Sequence, residues 1–156
     1  MLGLAIVRVV KAALMLTAFQ EDGLSFLYPE NWQLQRDDTD NGWTVSLQSP
    51  DTAFVIISFD GEMPDPQHMA DTALGALQEE YPTLEADSCL DDIAGQPACG
   101  HDIRFFSFDL TNTCWTRSFY CGQGTVLVMW QANDLDLERA EPVLKAICAS
   151  LKVDED

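Results

Sequence analysis

Between residues 84 and 132 the chain is broken three times by short clusters of turn formers, Ala94-Gly95-Gln96-Pro97, Thr111-Asn112 and Gly122-Gln123-Gly124, with strand-forming runs on either side of each. Connections this short join only antiparallel neighbours, because a parallel return needs a crossover of roughly a dozen residues or more. Residues 84–93, 99–110, 114–121 and 125–132 are therefore expected to form an antiparallel meander. In the second run Ile103 and Phe105 lie on one face and Phe106 and Phe108 on the other, so both faces need cover, at least in part.

The first half of the chain reads the same way. Gly23 to Tyr28 (GLSFLY) is rich in β-formers and stops at Pro29, which cannot donate a ladder hydrogen bond. A turn then leads into residues 32–36, and Asp37-Asp38-Thr39-Asp40-Asn41-Gly42 ends in Asn-Gly, a hairpin signal. Trp43, Val45 and Leu47 alternate along the next strand, and the continuous apolar run AFVIISF at 53–59 predicts a central strand covered on both faces. Two helices are expected. Asp65 is a good N-cap before Pro66, and Ala70, Ala73, Leu74, Leu77 and Tyr81 recur at helical spacing until Pro82. The last element, about 142–151, carries Val143, Leu144, Ile147, Cys148 and Leu151 on one stripe, with Pro142 at its start and a capped turn or short helix at 133–141 before it. The order predicts an α+β domain: an antiparallel β-sheet of about six to seven strands with helices packed on it.

Residues 1–20 form an apolar N-terminal segment that Arg8 and Lys11 split into runs too short for the roughly 20 apolar residues of a membrane-spanning helix. Several readings stay open: an extension upstream of a start at Met15, a packed or interacting helix, or an export signal. The export reading has Leu16 where a small residue is wanted before cleavage after Ala18. The domain proper is expected over 21–156, in the cytoplasm, or exported if residues 1–18 are a signal. Five cysteines, odd in number and without repeated spacing, are expected as reduced core thiols rather than a disulfide framework.

Eight basic against 26 acidic residues leave a net charge of −18. A nucleic-acid backbone is bound by neutralising it with clustered Lys and Arg, so nucleic acid is excluded as a partner, and an anionic membrane surface is disfavoured for the same reason. With 47% hydrophobic residues the chain has ample material for a core. Its charge points to a partner segment that is basic, or apolar and basic together.

Site chemistry is sparse. Asp37, Thr39, Asn41 and Gly42 partly mimic a calcium loop, but Gln48 stands where a bidentate Glu is required. Cys99 and His101 share a strand face that Cys114 and Cys121 can approach, without the close pairs usual in zinc sites. The same two residues, with Asp102 or Asp109, could form a thiol–imidazole nucleophile, although so negative an environment disfavours the thiolate. No phosphate-binding loop, dinucleotide fingerprint or nucleophile elbow is present, and neither a metal nor a cofactor is expected. The aromatics say more. Trp115, Phe119, Tyr120 and Trp130, with Phe105, Phe106 and Phe108, supply more large rings than one sheet face usually needs. Trp115, Phe119 and Trp130 are the expected contacts of an exposed groove or of a homodimer interface.

Two short motifs carry a family resemblance. In GLSFLYPENW, Tyr28, Pro29 and Trp32 fall as aromatic, Pro, two residues, Trp; in DIAGQPAC, Gly95, Pro97 and Ala98 fall as Gly-x-Pro-Ala. Together with the order of elements over residues 24–153, these resemble the PsbP-like superfamily, which includes photosystem extrinsic proteins, a Ran-binding nuclear-import factor and bacterial proteins of the DcrB type. The resemblance implies a binding module without shared catalytic residues; one bacterial branch resembles adaptors that sheath apolar helices of secreted effectors. The expectation is a non-enzymatic protein-binding module, an adaptor or chaperone for an apolar or basic partner segment. The alternative is a small enzyme or metal-binding protein using Cys99 and His101.

Overall fold

The computed structural model describes residues 15–154. In chain order the elements are β1 (Leu16–Glu21), β2 (Leu24–Pro29), β3 (Gln33–Thr39), β4 (Gly42–Gln48), β5 (Phe54–Asp60), α1 (Pro66–Glu80), β6 (Glu85–Ile93), β7 (Gln96–Ser107), β8 (Leu110–Cys121), β9 (Gly124–Asn133), α2 (Leu137–Ala149) and β10 (Lys152–Val153). Seven strands make one sheet in the order β3-β4-β5-β9-β8-β7-β6, and β1-β2-β10 make a second. Every pairing is antiparallel, as the short connections require.

Alternation along the strands sets the two faces of the large sheet. On one face Trp43, Val45, Leu47, Val55, Ile57, Phe59, Phe119, Val126, Val128 and Trp130 are buried with Leu24 and Phe26 of β2 and with Leu144, Ile147 and Leu151 at the C-terminal end. This is the main core, closed by the small sheet and α2. On the other face α1 packs on β7, β8 and β9. Its Leu74 and Leu77 meet Ile103, Phe105 and Cys114, and Tyr81 stacks on Phe105 with ring centroids 4.0 Å apart. The capping expected of Asp65 is made: its carboxylate accepts from the His68 N–H at 3.1 Å.

Four local expectations are corrected. The β7–β8 turn lies at Phe108-Asp109, both with positive φ (53° and 60°), rather than at Thr111-Asn112. The long ladder draws Thr111 and Asn112 into β8, opposite Phe106 and Phe105. In the β3–β4 hairpin the turn is Asp40-Asn41, one residue early, and Gly42 opens β4 opposite Thr39. There a Cβ would run into the Phe59 carbonyl, so it is close approach between strands that calls for glycine. α2 begins at Leu137, which places Pro142 inside the helix. Asp136 is its N-cap residue but turns its carboxylate away, accepting from Thr52 N–H (3.2 Å), Thr52 Oγ1 (3.1 Å) and Ala53 N–H (3.2 Å), and so ties the helix start to the β4–β5 loop. Lastly, residues 16–20, grouped above with the N-terminal segment, belong to strand β1, where Phe19 stacks on Phe26 at 5.0 Å. The readings of residues 1–14 lie outside the described residues. Among the described residues no helix is long and apolar enough to cross a membrane.

Candidate functional site

The register places Trp115, Arg117 and Phe119 of β8 on the same face as Trp130, Val128 and Val126 of β9, and this is the face closed by the small sheet and α2. Phe119 is fully buried and Trp130 is 5% exposed, so neither offers a surface to a partner: the rings fill the main core. Trp115 alone of the three is half-buried. It stacks on Trp130 (6.1 Å between centroids, 15° between planes) under the Arg117 guanidinium, 4.6 Å away. The exposed phenylalanines are instead Phe106 and Phe108, at the β7–β8 tip.

Arg117 is itself buried, and its charge is met on all sides. Nε donates to Asp91 on β6 (2.5 Å), Nη2 to Asp102 on β7 (3.0 Å), and Nη1 to the carbonyls of Thr116 (2.7 Å) and His101 (3.3 Å). Burial works against the charge, but the hydrogen bonds to Asp91 and Asp102 outweigh it and hold the guanidinium above its usual value. The group is a cross-strand clamp over three strands.

Cys99 and His101 do share one face of β7, but the acids expected beside them do not. Asp102 points to the opposite face and bonds Arg117; Asp109 sits in the hairpin turn. The carboxylate that approaches is Asp71 of α1, 3.6 Å from His101 Nε2. Cys121 also projects from the opposite face, with Phe119. Burial, then the charges of Asp65 and Asp71, push the Cys99 thiol up, away from the thiolate a nucleophile needs. Cys99 Sγ lies 3.9 Å from the Ser118 carbonyl, its hydrogen-bond partner. Among the described residues no group of three or more His, Cys, Asp or Glu side chains is placed to hold a metal ion.

A concavity lined mostly by apolar side chains lies elsewhere. Leu16, Leu27 and Pro29 of the β1–β2 hairpin face Pro142, Val143, Ala146, Ile147 and Ser150 of α2 and its C-terminal end across a groove of about 280 Å³. Alternation puts it there: Phe19 turns into the core, while Leu16 is 60% and Leu27 42% exposed. Ser150 fixes one wall. Its hydroxyl accepts from Leu27 N–H (2.9 Å) and lies 3.3 Å from the Leu27 carbonyl. Sequence reasoning misses this site because Leu16 continues the apolar run of the N-terminal segment and the apolar stripe of α2 does not distinguish core from groove. The available signal was the alternation of Leu16 and Ala18 with Thr17 and Phe19.

No family model and no curated protein matches the chain. Solved structures do. Cyanobacterial PsbP (CyanoP) from Synechocystis sp. PCC 6803 aligns with a TM-score of 0.59 at 14% identity, over 92% of this chain and 94% of that one. LpqN of Mycobacterium tuberculosis, involved in cell envelope biogenesis, aligns at 0.58 and 15% identity, over 96% and 97%. PA94 of Pseudomonas aeruginosa, a protein of unknown function, aligns at 0.55 and 15% identity, over 90% and 99%. Two helices packed on a seven-stranded antiparallel sheet, with a small three-stranded sheet beside it, give this chain the PsbP-like fold.

Proposed function

We propose that this domain is a non-enzymatic protein-binding module, and that its docking surface is the groove between the β1–β2 hairpin and α2 rather than the Trp115 face. The observation that carries this reading is the groove itself: a surface cavity lined almost wholly by apolar side chains, Leu16, Leu27, Pro29, Val143 and Ala146 among them, on a chain of net charge −18. Exposed apolar concavities on charged surfaces mark binding sites, and the charge selects a partner segment carrying apolar residues together with basic ones. The field draws the segment in; apolar contact holds it.

The test is isothermal titration of the full chain with synthetic leucine–lysine peptides, in wild type and in the Leu27→Asp, Val143→Asp and Trp115→Ala variants. Both groove substitutions are expected to weaken binding by about tenfold or more, since each puts a charge where apolar surface must be buried, while Trp115→Ala leaves it unchanged. Absence of binding, or binding insensitive to both groove substitutions, overturns the reading.

A further inference from the structure

We infer that the groove's occupant binds as an added β-strand, paired to the edge of β1 that no other described strand covers, and that it alternates apolar with basic residues. This rests on the reading above and specifies its partner. The two-residue turn at Asp22-Gly23 makes Glu21 and Leu24 a hydrogen-bonded pair, and the ladder then alternates. Glu21, Phe19 and Thr17 spend their backbone groups on β2. Leu16, Ala18 and Gln20 point theirs away from it, along an edge that no other described strand covers.

The other edges are blunted, each by a recognisable device. β3 carries Arg36, Asp37 and Asp38, and β6 carries Glu85, Asp87, Asp91 and Asp92, charges that discourage pairing. On the far side of β2 the short β10 pairs with Leu24 and Ser25, and where it stops the Ser150 hydroxyl occupies the backbone of Leu27. Residues 16–20 of β1 (LTAFQ) have no charge, no proline and no cap. Among the described residues, the edge without such a device is also the one that borders the apolar groove.

Strand geometry then dictates the alternation. Every second side chain of an added strand falls on the face of Leu16, Leu27 and Pro29, over the groove. The intervening ones fall on the side where Arg36 of β3 reaches Glu21 of β1 (2.7 Å) and Asp38 (2.8 Å), two carboxylates to one guanidinium. Basic residues suit those positions.

The experiment uses the full chain and a synthetic peptide of alternating valine and lysine, with three controls: the same peptide N-methylated at one alternate set of residues, the same methylated at the other set, and a peptide of equal composition with helical spacing. Amide hydrogen exchange read by NMR should slow by about tenfold or more at Leu16, Ala18 and Gln20 when the parent peptide binds. One methylated set should lose binding and the other keep it, because only one row of amides faces β1. Ala18→Pro, which removes an edge N–H but no β1–β2 hydrogen bond, should lose binding with its melting midpoint little changed. Equal binding of both methylated peptides, or preference for the helically spaced one, overturns strand addition and leaves the groove as a docking site. Failure of every peptide overturns both readings. Slow exchange at these three amides in the peptide-free chain means that the edge is already covered, by a second copy if sedimentation gives a dimer, and overturns the proposal too.

Discussion

Gly42 and Gly75 are both glycines inside regular elements, yet the demands on them are opposite. At Gly42 a Cβ would meet the backbone carbonyl of Phe59, which cannot move without opening the β4–β5 ladder; at Gly75 in α1 nothing lies within 4 Å of the added atom. Gly42→Ala should therefore cost about 2 kcal/mol or more through strain, and Gly75→Ala should add about 1 kcal/mol through helix propensity. Urea denaturation of the two variants checks both signs. The thiols offer a pH-dependent counterpart. Burial pushes Cys114 and Cys148 from 9.0 up to about 12. Above about pH 9 the unfolded chain gives up these protons while the folded chain keeps them, so their contribution is full below that pH and is lost as pH rises toward 12. Each thiol should remove about 1 kcal/mol of stability between about pH 9 and pH 10. Cys148→Ala should make the decline shallower by that amount, as followed by denaturant midpoints against pH.

Among elements, β8 shows what was legible in the sequence and what was not. The short turns correctly implied antiparallel neighbours, and the apolar period with Asp65 and Pro66 located α1 to within a residue or two of its observed 66–80 span. Which face of β8 would be sealed was not legible, because alternation sorts side chains into two sets without saying which set meets a helix. For that reason the sequence alone offers Trp115, Phe119 and Trp130 as surface, and it does not reveal the groove, whose walls come from β1–β2 and α2, more than a hundred residues apart in the chain. The displaced turns have a similar cause: Thr111 and Asn112 have turn chemistry, but the β7–β8 ladder outweighs it and the reversal falls on Phe108-Asp109. The same strand supplies an energetic test. Arg117→Ala should cost about 3 kcal/mol, since it strips the clamp from Asp91 and Asp102 and leaves a void over the Trp115 ring, whereas Arg117→Met, which keeps the bulk, should cost clearly less. Equal losses in thermal unfolding would show that the charge, not the packing, is what β8 requires.

At the scale of the whole molecule, one layer of seven strands is covered by α1 on one face and by α2 with the small sheet on the other, and a chain of net charge −18 carries an apolar groove where α2 and the small sheet meet. That juxtaposition gives two distinct contributions to binding. Charge should govern the rate of encounter, so the association rate for a lysine-bearing peptide should fall by about tenfold between low and physiological salt, while the dissociation rate, set by apolar contact, should change little. Stopped-flow fluorescence at two ionic strengths separates them. The most direct measurement of the central claim is a methyl-resolved NMR titration of the full chain with the valine–lysine peptide. The account predicts shifts concentrated at Leu16, Leu27, Val143, Ala146 and Ile147; shifts centred on Leu74, Leu77 and Met129 beneath α1, or no saturable shifts anywhere, would contradict it.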